Sequence, residues 1–176
     1  MLIVVRMASR YASNDVSLGN ARPTFLVGVP RIFEKIFNAS QQKAHAESPA
    51  KAKIFERAAK VAIDYGRATL HGGASPWLRL QHAIFDRLVY SKIRSAMGGN
   101  LRYAITGGAS LGERLGFFYA GIGLTVMEGY GLTETTASGT FNRAENARIG
   151  TVGQPMPGTA VRIADDGEIS GCADHR

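Results

Sequence analysis

The chain has 176 residues, 45% hydrophobic and 20% charged, which is ordinary for a soluble globular domain and argues against a disordered chain. Its 21 basic and 14 acidic residues give a net charge of +7, which favours anionic partners. The single cysteine, Cys172, excludes an intrachain disulfide and a zinc site built on several thiolates. The longest uncharged run, residues 115–127, is too short to span a bilayer. We therefore expect a reducing, cytoplasmic setting and no transmembrane segment.

The first readable elements are a strand and a helix. Residues 1–22 carry little signal, whereas the β-branched and aromatic run from Thr24 to Val29 predicts a buried strand. Pro30 suits the first turn of a helix, where its missing N–H costs nothing. Apolar residues then recur at helical spacing as far as Phe37, which predicts a helix with one packed face.

Two more helices are predicted from paired serine and proline residues. Ser48-Pro49 and Ser75-Pro76 each combine an N-cap with a first-turn proline ahead of apolar residues at helical spacing. Gly72-Gly73 ends the first of these helices and Gly98-Gly99 ends the second. Both apolar stripes are predicted to pack against neighbouring structure rather than to contact a cofactor.

The second half of the chain alternates strands with glycine turns. Gly107-Gly108-Ala109 leaves one predicted strand, and Ser110 and Glu113 have the spacing of a capping box that opens a short helix. Strand, helix and strand in this order predict an α/β fold with at least partly parallel pairing. The predicted strands are residues 101–106, 124–127 and 158–163.

Two segments that follow strands hold the candidate functional residues. The small residues of Gly107-Gly108-Ala109-Ser110 would let a flat ligand approach the backbone, but a tight turn explains them at least as well. The segment from Glu128 to Thr136 follows a strand, where open α/β sheets bind ligands. In it Tyr130 offers a stacking ring, Thr133 a phosphate donor and Glu134 a hard carboxylate for Mg²⁺. A glycine turn with a surface Thr and Glu remains the alternative.

Three motifs together resemble a known family. Gly129-Tyr130-Gly131-Leu132-Thr133-Glu134-Thr135 resembles the Tyr-Gly-x-Thr-Glu signature of the adenylate-forming, or AMP-binding, superfamily. Gly107-Gly108-Ala109-Ser110-Leu111 resembles its adenine-contacting Gly-Gly-Ala-Pro-Leu turn, with Ser110 in place of the proline, and residues 150–158 resemble the turn that follows. The spacing and order of the motifs also match. The resemblance implies part of the N-terminal domain of that fold.

Two further segments resemble one group of enzymes within this superfamily. Residues 23–36 are similar to a segment typical of bacterial long-chain fatty-acid–CoA ligases, and residues 38–98 resemble the helical insertion of those ligases. The match covers residues 21–169, between a divergent N-terminal segment (1–20) and a divergent tail (170–176). The implied fold is a partial α/β domain whose mixed sheet carries a helical insertion.

The resemblance implies ATP-dependent activation of a long-chain fatty acid, first to an acyl-adenylate and then, with coenzyme A, to acyl-CoA. Thr133 would contact the α-phosphate and Glu134 would hold Mg²⁺, so these two are the expected catalytic residues. The adenine pocket would be lined by residues of both motifs, namely Gly107, Gly108, Ala109, Ser110, Glu128, Gly129, Tyr130, Gly131, Leu132 and Thr133.

Other features of the family have no counterpart in these 176 residues. They are the Ser/Thr/Gly-rich phosphate loop, the Asp that holds the ribose, and the small C-terminal domain with its adenylation lysine. We therefore expect a fragment of a longer ligase that is inactive by itself. A sheet cut in this way is also expected to expose a core face.

Two other classes stay open at this stage. Another adenylate-forming acid ligase is one, although the helical insertion argues against it. A non-enzymatic basic module is the other; its basic residues form no block, which argues against nucleic acid as the partner. Peripheral contact with the inner membrane is also left open. The scattered histidines are predicted to be surface residues rather than metal ligands: His45, His71, His82 and His175.

Overall fold

The computed structural model describes residues 18–70, 72–132, 139–144 and 147–173. Helices come first along the chain and strands dominate the second half. The helices are α1 (Leu18–Ala21), α2 (Pro30–Glu47), α3 (Pro49–Leu70), α4 (Pro76–Phe85), a π-helical segment (Asp86–Tyr90), α5 (Ser91–Ala96) and α6 (Glu113–Gly121). The strands are β1 (Phe25–Gly28), β2 (Tyr103–Thr106), β3 (Thr125–Tyr130), β4 (Thr140–Phe141), β5 (Gln154–Pro155), β6 (Thr159–Ile163) and β7 (Ile169–Ala173).

The strands form two sheets in the described part of the chain. In the larger one the order is β1-β2-β3-β4-β5; β1, β2 and β3 are parallel, whereas β4 and β5 add antiparallel pairs. The pair β6–β7 is a separate antiparallel hairpin. The predicted α/β class with partly parallel pairing is confirmed. Parallel pairing aligns the carboxyl ends of β1, β2 and β3, so Gly28, Thr106 and Glu128 are register partners across the sheet.

The helix starts predicted from Ser48-Pro49 and Ser75-Pro76 are confirmed. The Ser48 hydroxyl accepts a hydrogen bond from the Lys51 N–H at 3.2 Å, and the Ser75 hydroxyl accepts one from the Leu78 N–H at 3.3 Å. Each cap satisfies a first-turn N–H that has no partner within its helix. Helix α2 continues to Glu47, well beyond Phe37, so residue 38 lies inside a helix rather than at its end.

Helices α3 and α6 pack backbone against backbone. A Cβ atom added at Gly66 would lie 2.3 Å from the Phe117 carbonyl oxygen, and one added at Gly121 would lie 1.9 Å from the Ala62 carbonyl oxygen. Any side chain at either position would force the helices apart. The close approach buries the aromatic side of α6 against α2, where the Tyr119 hydroxyl donates to the Phe33 carbonyl at 2.6 Å.

The segment from α4 to α5 is fixed to the other helices by polar contacts. Arg94 makes a two-pronged contact with Asp86 (2.6 and 3.0 Å) and also donates to the Ile122 carbonyl at 3.0 Å. The hydrogen bonds from this guanidinium lower the pKa of the Asp86 carboxyl. The buried Tyr90 hydroxyl donates to the Ala58 carbonyl at 2.7 Å, and burial raises its pKa.

His82 corrects one prediction. Its Nε2 lies 2.6 Å from the Gly121 carbonyl oxygen, and its ring stacks on Tyr65 with the centroids 3.9 Å apart. It is therefore a half-buried packing residue between α3, α4 and α6 rather than a surface residue. His45 is exposed and lies 3.6 Å from Glu56, whereas His71 and His175 lie outside the described residues.

One face of the parallel strands is open, so β1 is not the fully buried strand that its apolar run predicted. Val27 in β1 and Tyr103 in β2 are 41% and 44% exposed, while Leu26 and Ala104 on the opposite face are buried in the core. None of the helices in the described ranges has the length and apolar character needed to cross a bilayer.

Candidate functional site

The two motif segments meet at the carboxyl end of the parallel sheet. Strand β2 ends at Thr106 and passes directly into the turn Gly107–Ser110, while β3 extends through Glu128 and Gly129 to Tyr130. The strand predicted for residues 124–127 is therefore longer and contains the first half of its motif. Because Thr106 and Glu128 are register partners, the turn and the motif lie side by side.

Glu128 connects the two segments through its side chain. It is 5% exposed, and its Oε2 accepts a hydrogen bond from the Leu111 backbone N–H at 3.0 Å. The Ser110 hydroxyl lies 3.5 Å from the same oxygen and completes a weaker second contact. A buried carboxylate that accepts a backbone N–H fixes that backbone strongly. Glu128 thus holds the end of the turn against β3, with its carboxylate directed into the protein.

The predicted capping box is wrong. Helix α6 begins at Glu113 with Gly112 as its N-cap, and no side chain caps it. The Ser110 hydroxyl instead accepts the Gly112 N–H at 3.3 Å and faces Glu128. The contact with Glu128 of β3 replaces the N-cap role predicted for Ser110. The actual N-cap, Gly112, has φ of +78°, a conformation that glycine adopts without strain.

Glycine brings the turn and the strand close together. A Cβ atom at Gly107 would lie 3.3 Å from the Gly129 carbonyl oxygen, and Gly108 has φ of +81°. Gly108, Ala109 and Ser110 are exposed in the turn, and the half-buried Tyr130 ends the neighbouring strand β3. Exposed backbone next to an aromatic ring can accept a flat ligand such as a nucleobase.

Strand β4 supports the other side of the motif, which the sequence did not predict. The Asn142 N–H donates to the Glu128 carbonyl at 3.0 Å, and its side-chain amide donates to the Thr151 carbonyl at 2.5 Å. Asn142 is 4% exposed and also accepts the Arg148 N–H at 3.1 Å. It therefore ties the segment 148–151 to β3. A single Asn between strands carries no sequence signal for this role.

The phosphate contact predicted for Thr133 and the Mg²⁺ contact predicted for Glu134 stay predictions. Thr133 and Glu134 lie outside the described residues, as do residues 135–138. Gly131 is half-buried and Leu132 is exposed, and both follow β3. Within the ranges that the structure describes, no three His, Cys, Asp or Glu side chains cluster in a way that could hold a metal ion.

Comparison with known proteins defines the class. A family model described as AMP-binding enzyme matches residues 4–174. The chain belongs to this family. The solved structure of an anthranilate CoA ligase in complex with anthranoyl-AMP has the same fold, with a TM-score of 0.50 and 17% sequence identity over 93% of this chain and 22% of that one.

Two individual relatives are long-chain fatty-acid–CoA ligases. The chain is 51% identical over 148 residues to the long-chain-fatty-acid–CoA ligase FadD15 of Mycobacterium tuberculosis, covering 84% of this chain and 24% of that protein. It is 33% identical over 150 residues to the long chain acyl-CoA synthetase 4 of Arabidopsis thaliana, covering 83% of this chain and 21% of the plant protein. The chain thus spans about a quarter of the length of these relatives.

Proposed function

We propose that the protein to which this chain contributes activates a long-chain fatty acid with ATP, forming an acyl-adenylate and then, with coenzyme A, acyl-CoA. The observation that carries the proposal is the Glu128–Leu111 contact, which joins the end of the Gly107–Ser110 turn to β3, the strand that ends at Tyr130. The 51% identity to FadD15 supports the choice of a long-chain fatty acid as substrate. The proposed setting of this activity is lipid metabolism, in the cytoplasm with peripheral contact at the inner membrane.

In this proposal the described residues form the adenine side of the nucleotide site. The exposed backbone of Gly108 and Ala109 faces one edge of the base, and the Tyr130 ring stacks against it. Glu128 acts indirectly, because its carboxylate is buried against Leu111 and holds the turn in place. Thr133 supplies a hydroxyl to the α-phosphate.

Glu134 is proposed as the carboxylate that holds Mg²⁺. Carboxylate oxygens are the ligands that suit this cation. A bound Mg²⁺ would neutralise negative charge on the phosphoryl oxygens. This assignment rests on the motif alone.

Hydrogen–deuterium exchange of the chain, with and without ATP and Mg²⁺, tests the nucleotide site. We expect slower exchange in residues 107–112 and 128–132 with ATP, and none of this slowing in a Tyr130→Ala variant. Tyr103→Ala is the matched control, since Tyr103 is an exposed aromatic residue of the same sheet. Equal protection in both variants, or none in the native chain, would contradict the proposal.

The acid substrate is tested separately on a longer protein that contains this segment. Activity with palmitate well above that with benzoate or acetate is expected for a long-chain ligase. The reverse order would favour another adenylate-forming ligase. Salt-sensitive retention of the chain on DNA, without protection by ATP, would favour a basic binding module instead.

A further inference from the structure

Asn142 directly follows β4, and both polar atoms of its buried side chain are hydrogen-bonded inside the protein. Its amide nitrogen donates to the Arg148 carbonyl at 3.3 Å and to the Thr151 carbonyl at 2.5 Å. Its amide oxygen accepts the Arg148 N–H at 3.1 Å. A buried amide whose donors and acceptor are all engaged holds its partners in one geometry. Asn142 therefore fixes the 148–151 turn.

The backbone of Asn142 connects this turn to the second motif. Its N–H donates to the Glu128 carbonyl at 3.0 Å, which extends the antiparallel pairing of β3 and β4 by one residue. Glu128 is also the residue whose carboxylate accepts the Leu111 N–H at the end of the first motif. The main chain of Glu128 thus contacts Asn142, while its side chain contacts the first motif. A displacement of Asn142 would reach the first motif through this one residue.

The turn that Asn142 holds also packs on α6, the helix that follows the first motif. A Cβ atom added at Gly116 would lie 2.5 Å from Cγ2 of Ile149, and one added at Gly150 would lie 2.9 Å from Cγ of Glu113. The turn therefore lies directly against the N-terminal part of α6. This is a second route from the turn to the first motif, since α6 begins immediately after it.

The residues that follow the turn are packed against the backbone of β4. A Cβ atom added at Gly153 would lie 2.2 Å from the Phe141 carbonyl oxygen, and Gly153 has φ of +83°, so a side chain here would be both strained and obstructed. The Thr140 hydroxyl donates to the Val152 carbonyl at 3.0 Å. The position of β4 and that of residues 148–153 are therefore coupled.

We propose that Asn142 is a positioning residue for the nucleotide site, acting through Glu128. The contacts form a closed circuit from the Gly107–Ser110 turn through α6 to the 148–151 turn, then through Asn142 to β3, and back through the Glu128 carboxylate. Asn142 thereby fixes the end of β3, where Tyr130 lies, relative to the first motif. The identity of the ligand rests on the proposed function, whereas the positioning is a property of the chain without nucleotide.

A purely local role in closing the turn is the alternative. In that case, loss of the Asn142 side chain would loosen residues 148–153 alone, because the hydrogen bond from its backbone N–H to Glu128 would remain. In the proposed role the loosening also reaches Leu111 and Tyr130, because the turn, α6 and β4 belong to one circuit of contacts. The two roles therefore differ in how far along the chain the effect is observed.

Amide hydrogen exchange of the 176-residue chain without nucleotide measures this range. Asn142→Ala should speed exchange by about fivefold or more in residues 107–112 and 128–130, as well as in residues 148–153. Asn142→Leu fills a similar volume without hydrogen bonds and should have the same effect. Thr151→Val is the matched control, because its hydroxyl donates to the same Arg148 carbonyl at 2.9 Å within the turn. The control should alter residues 148–153 only.

Calorimetric titration with ATP and Mg²⁺ measures the consequence for the ligand. Asn142→Ala should weaken ATP binding by about tenfold, and Thr151→Val should leave it unchanged. A double-mutant cycle identifies the route. In a Glu128→Ala background the further change Asn142→Ala should weaken binding by less than about threefold, because the link through Glu128 is already broken. Far-UV circular dichroism shows beforehand that each variant is folded.

Unchanged exchange in residues 107–112 and 128–130 would overturn the proposal, and so would two losses of ATP affinity that simply multiply in the cycle. Native exchange in Asn142→Leu would overturn it too, since the side chain would then only fill space. If the native chain bound no ATP while Asn142→Ala still loosened residues 107–112, the proposed function would fail and the positioning role would stand. Asn142→Ser, which keeps one donor, is the milder variant if the others do not fold; it should give the same pattern of faster exchange.

Discussion

The Glu128 carboxylate accepts the Leu111 N–H at 3.0 Å across 17 residues of sequence, joining the two segments that define the candidate nucleotide site. The end of β3 is held by its pairing with β2 and β4, whereas the other segment is a turn that contains a positive-φ glycine. The turn takes its place from a residue of the neighbouring motif. Glu128 is therefore a positioning residue for the site.

Replacing Glu128 tests this arrangement. Glu128→Ala leaves the buried Leu111 N–H without its acceptor and should lower the free energy of unfolding by about 1–3 kcal/mol. Glu128→Gln keeps an oxygen acceptor and should lose less. Urea denaturation measures both, with the exposed Glu168→Ala as control. If Gln and Ala were equally harmful, the carboxylate charge rather than the acceptor would be the essential feature.

The buried Thr106 hydroxyl gives a prediction of the opposite sign. It is fully buried at the end of β2 and has no hydrogen-bond partner within the described part of the chain. Thr106→Val keeps the shape and removes a hydroxyl that costs free energy to bury, so it should stabilise the chain by about 1 kcal/mol. Thermal unfolding measures the change. Destabilisation would mean that the hydroxyl has a partner outside the described residues.

The contact between α3 and α6 predicts that glycine is required at two helical positions. Gly121→Ala and Gly66→Ala place a methyl group inside the van der Waals distance of backbone atoms, and each should cost about 1–3 kcal/mol or more despite the better helix propensity of alanine. Gly116→Ala in α6 is the control, because its Cβ would meet a side chain, that of Ile149. A smaller loss at Gly116 is expected in urea denaturation. Equal losses at the three positions would argue against the backbone contact as the cause.

The Asp86–Arg94 pair predicts a pH dependence. The lowered pKa of Asp86 means that its charged form stabilises the folded state. This contribution is fully present above the usual value of 3.8 and disappears as the pH falls through the lowered pKa. Because both side chains are about one-third exposed, Asp86→Asn should cost only about 1 kcal/mol at neutral pH.

Denaturation at about pH 7 and about pH 2 checks this sign. The native chain and the Asp86→Asn variant should differ at neutral pH and converge in acid. Glu47→Gln is the control: it removes the exposed contact between Glu47, at the end of α2, and Lys51, in the first turn of α3. A difference for Asp86→Asn that persists in acid would show that the carboxylate charge is not responsible.

We expect these 176 residues by themselves to form no acyl-CoA, because they include no Ser/Thr/Gly-rich loop of the type that contacts the triphosphate in the family they resemble. Loss of even one charge-stabilising donor commonly costs about 10²–10³-fold in rate. Thioester formation from palmitate, ATP and coenzyme A measures the activity, with a full-length long-chain ligase as positive control. Turnover by the chain alone, after removal of contaminating ligases, would refute this.

Features that depend on neighbouring residues could be predicted from the sequence. The caps at Ser48 and Ser75, the start of α2 at Pro30 and the parallel strands follow from local chemistry and periodicity, and the structure has all of them. The resemblance also identified the family correctly. The residues assigned to nucleotide and metal contacts remain predictions.

Features set by distant contacts could not be predicted. Ser110 has the spacing of a capping box, but Glu128 of β3 draws its hydroxyl away. His82 is polar and isolated in sequence, and its burial comes from stacking on Tyr65 and from the contact of its Nε2 with the Gly121 carbonyl. Gly121 ends α6, and its lack of a side chain also admits the backbone of α3, which the sequence does not reveal. In each case the deciding partner lies far away in the sequence.

The Gly66–Gly121 contact also determines which changes of length the helical layer tolerates. Each residue of an α-helix turns it by about 100°, so deleting one residue of α3 before Gly66 would rotate the glycine away from α6 and present a larger side chain to the Phe117 carbonyl. Insertions or deletions that approximate whole turns would preserve the contact. The position of Gly66 therefore sets the rotational phase of α3, and related chains should vary in length in the loops around this helix rather than within it.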